Sequence, residues 1–237
     1  MKKKVVITGG KGKFAGAINE INKKYELILP NKRQLNILNF ESIMRFLKKK
    51  KPDYLIHSAA LTNPMSQHKT KIIDSIDLNI IGTANVVKAC HINNIKMVYI
   101  STNFVYPGQK GNYTENDDLN PVNKYGWSKL GGECSVKILK NYLILRICMT
   151  EDLYPHKTAF YNYYTSFLTK TDSAKIILKL LDKKGVFNIG GIKQSAYNYA
   201  KKLNPNIKMG EMKKNMINLI GKDTSVSIKK LKKVIKK

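Results

Sequence analysis

The stretch Lys4-Val5-Val6-Ile7-Thr8-Gly9-Gly10-Lys11-Gly12-Lys13-Phe14-Ala15-Gly16 decides how this chain is read. A short apolar run ends in glycines, and a helix-forming segment, residues 14–23, follows at once. A strand that turns through glycine into a helix gathers free backbone N–H groups and the positive end of the helix dipole at one point. That is a natural seat for a phosphate. Gly9 is expected to make the tight turn and Gly12 to let phosphates approach the backbone, while Ala15 is small enough for the helix to pack on the strand. No Lys-Ser or Lys-Thr follows at the spacing of a nucleoside-triphosphatase loop, which sets that class aside.

Outward from this loop, strand and helix patterns alternate. Residues 25–29 return to strand character, and residues 40–50 carry Phe40, Ile43, Met44 and Leu47 on one helical face. Pro52 and Asp53 introduce a strand at 54–57, followed by a long helix over 66–91 and a strand over 96–101. A helix over 124–141 and a strand over 142–147 complete the series. Such alternation predicts an α/β fold, a Rossmann-type doubly wound parallel sheet with helices on both faces. After Met149 the pattern loosens into a helix at 173–181, a strand at 185–189, a weak helix at 197–203 and a basic terminal helix at 228–237. The expected division is a dinucleotide-binding domain over 1–150 and a small, reduced substrate cap with a C-terminal helix over 151–237.

At 237 residues, 43% of them hydrophobic, the chain can bury one substantial core. Its apolar runs fall far short of the roughly 20 residues that cross a bilayer. The N-terminal run is too short for a signal sequence. Cys90, Cys134 and Cys148 are odd in number and widely spaced, so neither a disulfide framework nor a metal site is expected. A cytoplasmic, reducing location without a membrane partner is the expectation. The net charge of +27 comes almost wholly from lysines spread along the chain, with Arg33, Arg45 and Arg146 the only arginines. A nucleic-acid reader would use arginine for bidentate contacts, with aromatics interleaved. The excess is therefore read as compositional drift and no nucleic-acid partner is expected, although nucleotide anions would be attracted.

Tyr125-Gly126-Trp127-Ser128-Lys129 places Tyr and Lys four apart, on one face of a helix. A free phenol has a pKa of about 10, and an adjacent ammonium lowers it toward a usable acid–base group. Upstream, the strand ending in Ser101 and Thr102 brings hydroxyls to the carboxyl edge, where parallel sheets place ligands. Thr102 there is suited to hydrogen-bond a substrate carbonyl.

These segments carry a resemblance. Gly9-x-x-Gly12-x-x-Ala15 resembles the loop of short-chain dehydrogenases/reductases, in particular their extended, nucleotide-sugar-acting branch. Ser101-Thr102-Asn103-Phe104-Val105-Tyr106 and Tyr125-Gly126-Trp127-Ser128-Lys129-Leu130-Gly131-Gly132-Glu133 resemble stretches of the dTDP-4-dehydrorhamnose reductases. So does Lys51-Pro52-Asp53-Tyr54-Leu55-Ile56-His57-Ser58-Ala59-Ala60-Leu61-Thr62. The resemblance implies an NADPH-dependent reductase of a nucleotide-linked 4-keto-6-deoxy sugar. Tyr125 would be the proton donor, Thr102 the carbonyl's partner, Lys129 the residue that tunes Tyr125, and Asn79 the support of a proton relay. Cofactor contacts would fall at Gly9, Gly12, Lys13, Phe14 and Ala15 of the loop, at Ala59, Ala60 and Thr62, and at Tyr125 and Lys129. Arg146 would hold a phosphate or enter a structural ion pair. A homodimer through helices of the cofactor domain is also implied.

The chain departs from that family in places. The region after the second strand, Leu29-Pro30-Asn31-Lys32-Arg33, lacks the acid that binds a ribose 2′-hydroxyl. Asn31, Lys32 and Arg33 would instead meet a 2′-phosphate, which favours NADPH over NADH. Asn36 and Ile37 stand where the family has the Asp-Ile/Leu pair bordering adenine, and Asn103 stands where it has Asp. The region 150–171 is short. An epimerase or dehydratase is the competing enzyme class, but no acidic pair adjoins Thr102 and no cysteine lies in 63–70. His68 in that loop is read as a surface residue. A nucleotide-binding subunit without catalysis is the third class.

Overall fold

The computed structural model describes residues 1–62 and 65–235. Six parallel strands form one sheet: β1 (Lys4–Thr8), β2 (Glu26–Ile28), β3 (Tyr54–His57), β4 (Lys96–Thr102), β5 (Tyr142–Ile147) and β6 (Gly185–Ile189). Their order is β6-β5-β4-β3-β1-β2, with Ile7 opposite Ile56, Ile56 opposite Val98 and Tyr99 opposite Ile144. The strand order reverses at β1 and β3, so a crevice opens at their carboxyl ends.

Strand periodicity divides the core between the two faces. Val5, Ile7, Ile56, Val98, Leu143 and Leu145 face α1 (Lys13–Ile21) and α5 (Lys170–Leu180), where Ala15, Ile18, Ala174 and Ile177 meet them. Val6, Leu55, Met97, Tyr99 and Ile144 point the other way, toward α2 (Phe40–Lys50), α3 (Gly82–Ile92) and α4 (Lys124–Val136). Asn39 caps α2 by accepting the Ser42 N–H at 2.8 Å, and Asn123 caps α4 by accepting the Gly126 N–H at 2.8 Å. Both satisfy N–H groups that a helix leaves free at its start.

The expected long helix over 66–91 is broken. Gln67–Thr70 stops at Lys71, whose backbone leaves helical angles, and Ile72–Ile76 then passes into a π-turn, Asp77–Ile81, before α3. Apolar spacing alone could not reveal this, because the wider turn serves to swing one polar residue, Asn79, into the interior. Helix α4 also ends at Val136, short of residue 141. Its glycines let it press on the sheet, since a Cβ at Gly132 would lie 2.3 Å from the Tyr99 hydroxyl and 2.8 Å from the Asn79 carbonyl.

Elements from either side of residue 150 meet in the body. Helix α5 packs against α1, β6 pairs with β5, and α6 (Lys229–Ile235) packs on β6 and α5. The terminal helix expected over 228–237 thus spans these residues, with Lys236 and Lys237 outside the described ones. The cap proper is built from paired short strands, Met149–Thr150 with Leu168–Thr169, Thr158–Phe160 with Lys208–Gly210, and Tyr164–Thr165 with Gln194–Ser195. Helices Ala196–Leu203 and Lys214–Ile220 complete it. A buried strap, Asp223 to Ser227, threads between cap and body; the Asp223 N–H donates to Gly108 O at 2.8 Å and the Thr224 N–H to Tyr164 O at 2.9 Å. Among the described residues no helix is long and apolar enough to cross a membrane.

Candidate active site

A cleft of about 640 Å³ opens over the carboxyl ends of β1, β3, β4 and β5. Its floor begins at the glycine turn. Gly9 has φ +71°, which favours glycine, and a Cβ there would lie 3.1 Å from the Ala59 backbone. Gly10 is equally constrained: a Cβ would stand 2.5 Å from the Leu29 carbonyl carbon. The Gly12 N–H donates to Gly9 O at 2.8 Å, and no side chain caps α1. The turn is braced on the segment after β3, where Ser58 donates to Thr8 O at 2.7 Å and the Ala59 N–H donates to Thr8 Oγ1 at 3.2 Å.

Of the residues singled out in the sequence, Gly9, Gly12, Lys13, Phe14, Ala15, Asn31, Lys32, Ala59, Ala60, Thr62, Thr102, Tyr125 and Lys129 all line this one cleft. Arg33, Asn36, Ile37 and Asn79 do not. Arg33 is exposed beyond the lining. The Asn36 carboxamide oxygen accepts the Leu38 N–H at 3.1 Å, closing a local turn. Ile37 is core, filling the space a Cβ at Gly82 would need. Asn79 is fully buried and acts at a distance. Its amide accepts the Leu61 N–H at 2.8 Å and donates to Leu61 O at 2.9 Å and to Ser128 Oγ at 2.8 Å. Asn79 thereby ties the segment after β3 to the turn of α4 that bears Tyr125 and Lys129.

Burial governs Tyr125 and Lys129, each in the direction that disfavours its charged form. Desolvation pushes the Tyr125 phenol up to about 12, and a hydrogen bond with Thr102 opposes this in part. Desolvation lowers the Lys129 ammonium to about 7, with Glu133 pulling it back upward. The depression of the phenol expected from a neighbouring ammonium is not found. Desolvation instead favours the protonated phenol of Tyr125 and the neutral amine of Lys129. Lys129 Nζ also sits 4.2 Å from the centroid of the Tyr99 ring.

The depressed lysine makes stability depend on pH. Below about pH 7 the native state carries the full penalty of a buried ammonium, which is relieved as pH rises toward the unfolded value of about 10.5. Lys129→Met is therefore expected to melt higher than the wild type at pH 6, with the gap narrowing steadily by about pH 9. A gap that stays constant or widens in thermal melts across that range would contradict the burial effect. Comparing the two proteins cancels the titration of the other lysines.

His68 differs from its sequence-based expectation. His68 is not a surface residue: it is 1% exposed, with its ring 5.0 Å from that of Tyr125 and Nδ1 2.7 Å from Ser75 Oγ. Burial lowers its pKa, which makes the neutral imidazole the packing partner of Tyr125. The break in the helix at Lys71 turns it inward, a feature absent from the hydrophobic pattern. Arg146 is equally buried and takes the second of its two expected places, a structural ion pair. Its Nη2 lies 2.9 Å from Glu133 Oε2, Nη1 donates to the Tyr106 hydroxyl at 2.8 Å, and Ser101 donates to the same carboxylate. This ion pair fixes α4 to β5 directly beneath the cleft. Asn103 lines the cleft and donates from Nδ2 to Thr224 O at 3.0 Å. An aspartate there would meet that carbonyl with no proton to give, which explains the departure from Asp. Gly10, Ser58, Met65, Phe104, Met149, Glu151, Phe167 and Lys170 also line the cleft; Met149, Glu151 and Phe167 come from the cap, where the sequence carried no signal, and Lys170 opens α5.

With this geometry in view, the chain can be set beside known proteins. The profile of the family described as RmlD substrate binding domain matches residues 3–185. The chain belongs to that family. Among curated relatives of this RmlD-family chain, the dTDP-4-dehydrorhamnose reductase of Aggregatibacter actinomycetemcomitans is 28% identical over 134 residues, 55% of this chain and 45% of that protein. Methionine adenosyltransferase 2 subunit beta of Rattus norvegicus is 29% identical over 157 residues, 61% of this chain and 46% of that one. The matches thus span less than half the length of these curated relatives. Among solved structures, dTDP-4-dehydrorhamnose reductase from Bacillus anthracis, in complex with NADP, superposes with a TM-score of 0.86 at 25% identity, covering 98% of this chain and 92% of that one. A hypothetical dTDP-4-dehydrorhamnose reductase from Sulfolobus tokodaii gives 0.82 at 26% identity, covering 99% and 94%. The Rossmann-type α/β fold is therefore shared across nearly the whole chain.

Proposed function

We propose that this chain is an NADPH-dependent reductase of a nucleotide-linked 4-keto-6-deoxy sugar, acting in deoxysugar precursor synthesis. The observation that carries the reading is the meeting of Thr102, Tyr125 and Lys129 with the glycine turn in one cleft. The reductase relatives, one of them solved with NADP, support it. The residues present fit a dinucleotide: α1 has no side-chain cap, and Gly12 leaves its first turn open. Lys32 stands at the ribose end of a segment without an acid, which favours NADPH over NADH. The glycine turn, Asn31 and Lys32 would hold its phosphates and Lys129 its nicotinamide ribose.

NADPH supplies the reducing electron pair when bound. The chain's own residues manage the carbonyl oxygen. Thr102 orients it by hydrogen bonding, and Tyr125, protonated at neutral pH, gives it a proton as it becomes an alkoxide. Lys129 then returns a proton to the phenolate, for which a value of about 7 is well placed. Asn79 is a positioning residue that keeps α4 in register with the segment after β3. A screen of nucleoside-diphospho-4-keto sugars for NADPH consumption tests the reading. No consumption with any of them would overturn it, and solvent deuterium at sugar C3 or C5 would move the chain to the epimerases.

A second reading is favoured by the similarity to methionine adenosyltransferase 2 subunit beta: a nucleotide-binding subunit without turnover. NADPH binding with no consumption would support it. Assembly and setting belong to the same proposal. Ile73, Ile76, Ile81 and Trp127 are exposed on the neighbouring helical segments Ile72–Ile76, Asp77–Ile81 and α4, a surface suited to a homodimer. Sedimentation as a monomer at all concentrations would refute that arrangement. Cys90, Cys134 and Cys148 are all free, in keeping with a reducing cytoplasm.

A further inference from the structure

Lys13 and Lys170 open two helices that lie side by side, α1 and α5, and both line the cleft. The Glu151 carboxylate bridges them. Its Oε1 is 3.4 Å from Lys13 Nζ, and its Oε2 is 3.2 Å from Lys170 Nζ. Asp152 is engaged elsewhere, since its Oδ1 accepts the Thr171 N–H at 2.9 Å. Its Oδ2 stays 3.5 Å from Lys170, so that lysine keeps an anchored partner without Glu151. Glu151 is 38% exposed, so the carboxylate can swing into water with little loss of solvation. The bridge spans from the glycine turn to the first turn of the helix that follows the cap. An anion already sits where two cations converge at the mouth of a cleft suited to nucleotides.

We propose that Lys13 and Lys170 together bracket a pyrophosphate of the bound nucleotide, and that Glu151 is its intramolecular placeholder, exchanged for phosphate when the ligand enters. This rests on the reading of the cleft as a dinucleotide site. A phosphate carries more charge and more acceptor oxygens than a carboxylate, so it satisfies both ammonium groups better. Glu151 then competes with every phosphorylated ligand, while Lys170 extends the site from α1 to α5. The short cap region gains a defined role: it contributes the group that screens the two cations.

The experiment measures binding to the full chain at low salt, with NADPH followed by fluorescence, ADP by calorimetry, and adenosine as a phosphate-free control. Glu151→Gln is expected to tighten NADPH and ADP about threefold, and Lys170→Met to weaken both about fivefold, as expected for partly exposed charges. Both changes should fade by about 0.5 M salt, and adenosine should bind all three proteins equally. Unchanged or weaker NADPH and ADP binding by Glu151→Gln, with a wild-type melting temperature, would overturn the placeholder. An equal shift with adenosine would do so as well. Wild-type protein that binds ADP but gains nothing from Glu151→Gln defeats this inference alone, whereas failure of the wild type to bind NADPH or ADP defeats the dinucleotide reading with it. Should Lys170→Met unfold, Lys170→Gln serves the same measurement.

Discussion

Tyr125→Phe is expected to lower reductase turnover by about 10²- to 10⁴-fold, the range a positioned proton donor contributes, while leaving NADPH affinity within about twofold. The substitution is clean because the ring's surroundings are apolar and aromatic. His68 lies 5.0 Å and Phe104 6.3 Å from it, and neither contact needs the hydroxyl. What disappears is the Thr102 partnership and the proton that burial keeps on the phenol. Steady-state kinetics and fluorescence titration of the same preparation separate the two effects. Retained turnover would reassign the proton donor, and lost NADPH binding would show that Tyr125 serves binding before chemistry.

Arg146→Ala is expected to produce the largest loss of stability, about 3–5 kcal/mol, because it strands the buried Glu133 charge. Arg146 and Glu133 are 1% and 0% exposed, so water cannot take over. The loss should extend beyond the pair. Ser101 and the Tyr106 hydroxyl share the network, and Tyr106 donates onward to Asn188 Oδ1 at 2.9 Å, joining β4, β5 and β6 beneath the cleft. Denaturant unfolding of Arg146→Ala beside a double variant, Arg146→Met with Glu133→Leu, distinguishes a stranded charge from lost packing. The double variant should recover much of the deficit, since an apolar pair of similar volume removes the desolvation penalty. A single variant as stable as the wild type would refute the account.

The body of this fold was legible because its signals are local and periodic. Phe40–Lys50, Tyr54–His57, Tyr142–Ile147 and Gly185–Ile189 stand where the pattern put them, and Tyr125, Lys129 and Thr102 converge as their spacing required. What stayed hidden depends on contacts between distant segments. Nothing in a string of residues distinguishes His68 on a surface from His68 against Tyr125 until the chain bends at Lys71. Arg146 reads equally as phosphate ligand or ion-pair partner until Glu133 is seen opposite it. Asn36 and Ile37 occupy familiar positions, and only the folded chain shows that Asn36 closes a local turn and that Ile37 packs in the core. Glu151 comes from a region of short paired strands, where periodicity is too brief to be read, and Lys170 lies ahead of the helix start that the pattern placed at residue 173.

The buried strap from Asp223 to Ser227 has a consequence for how the molecule is made. Asn103, beside Thr102, closes its hydrogen bond on a carbonyl 121 positions later in the chain. Emerging from the ribosome, the first five strands can pair and the glycine turn can form while that bond still lacks its acceptor. The surroundings of Thr102 are thus among the last parts to be finished, and a chain cut before residue 224 would leave the Asn103 amide without that acceptor.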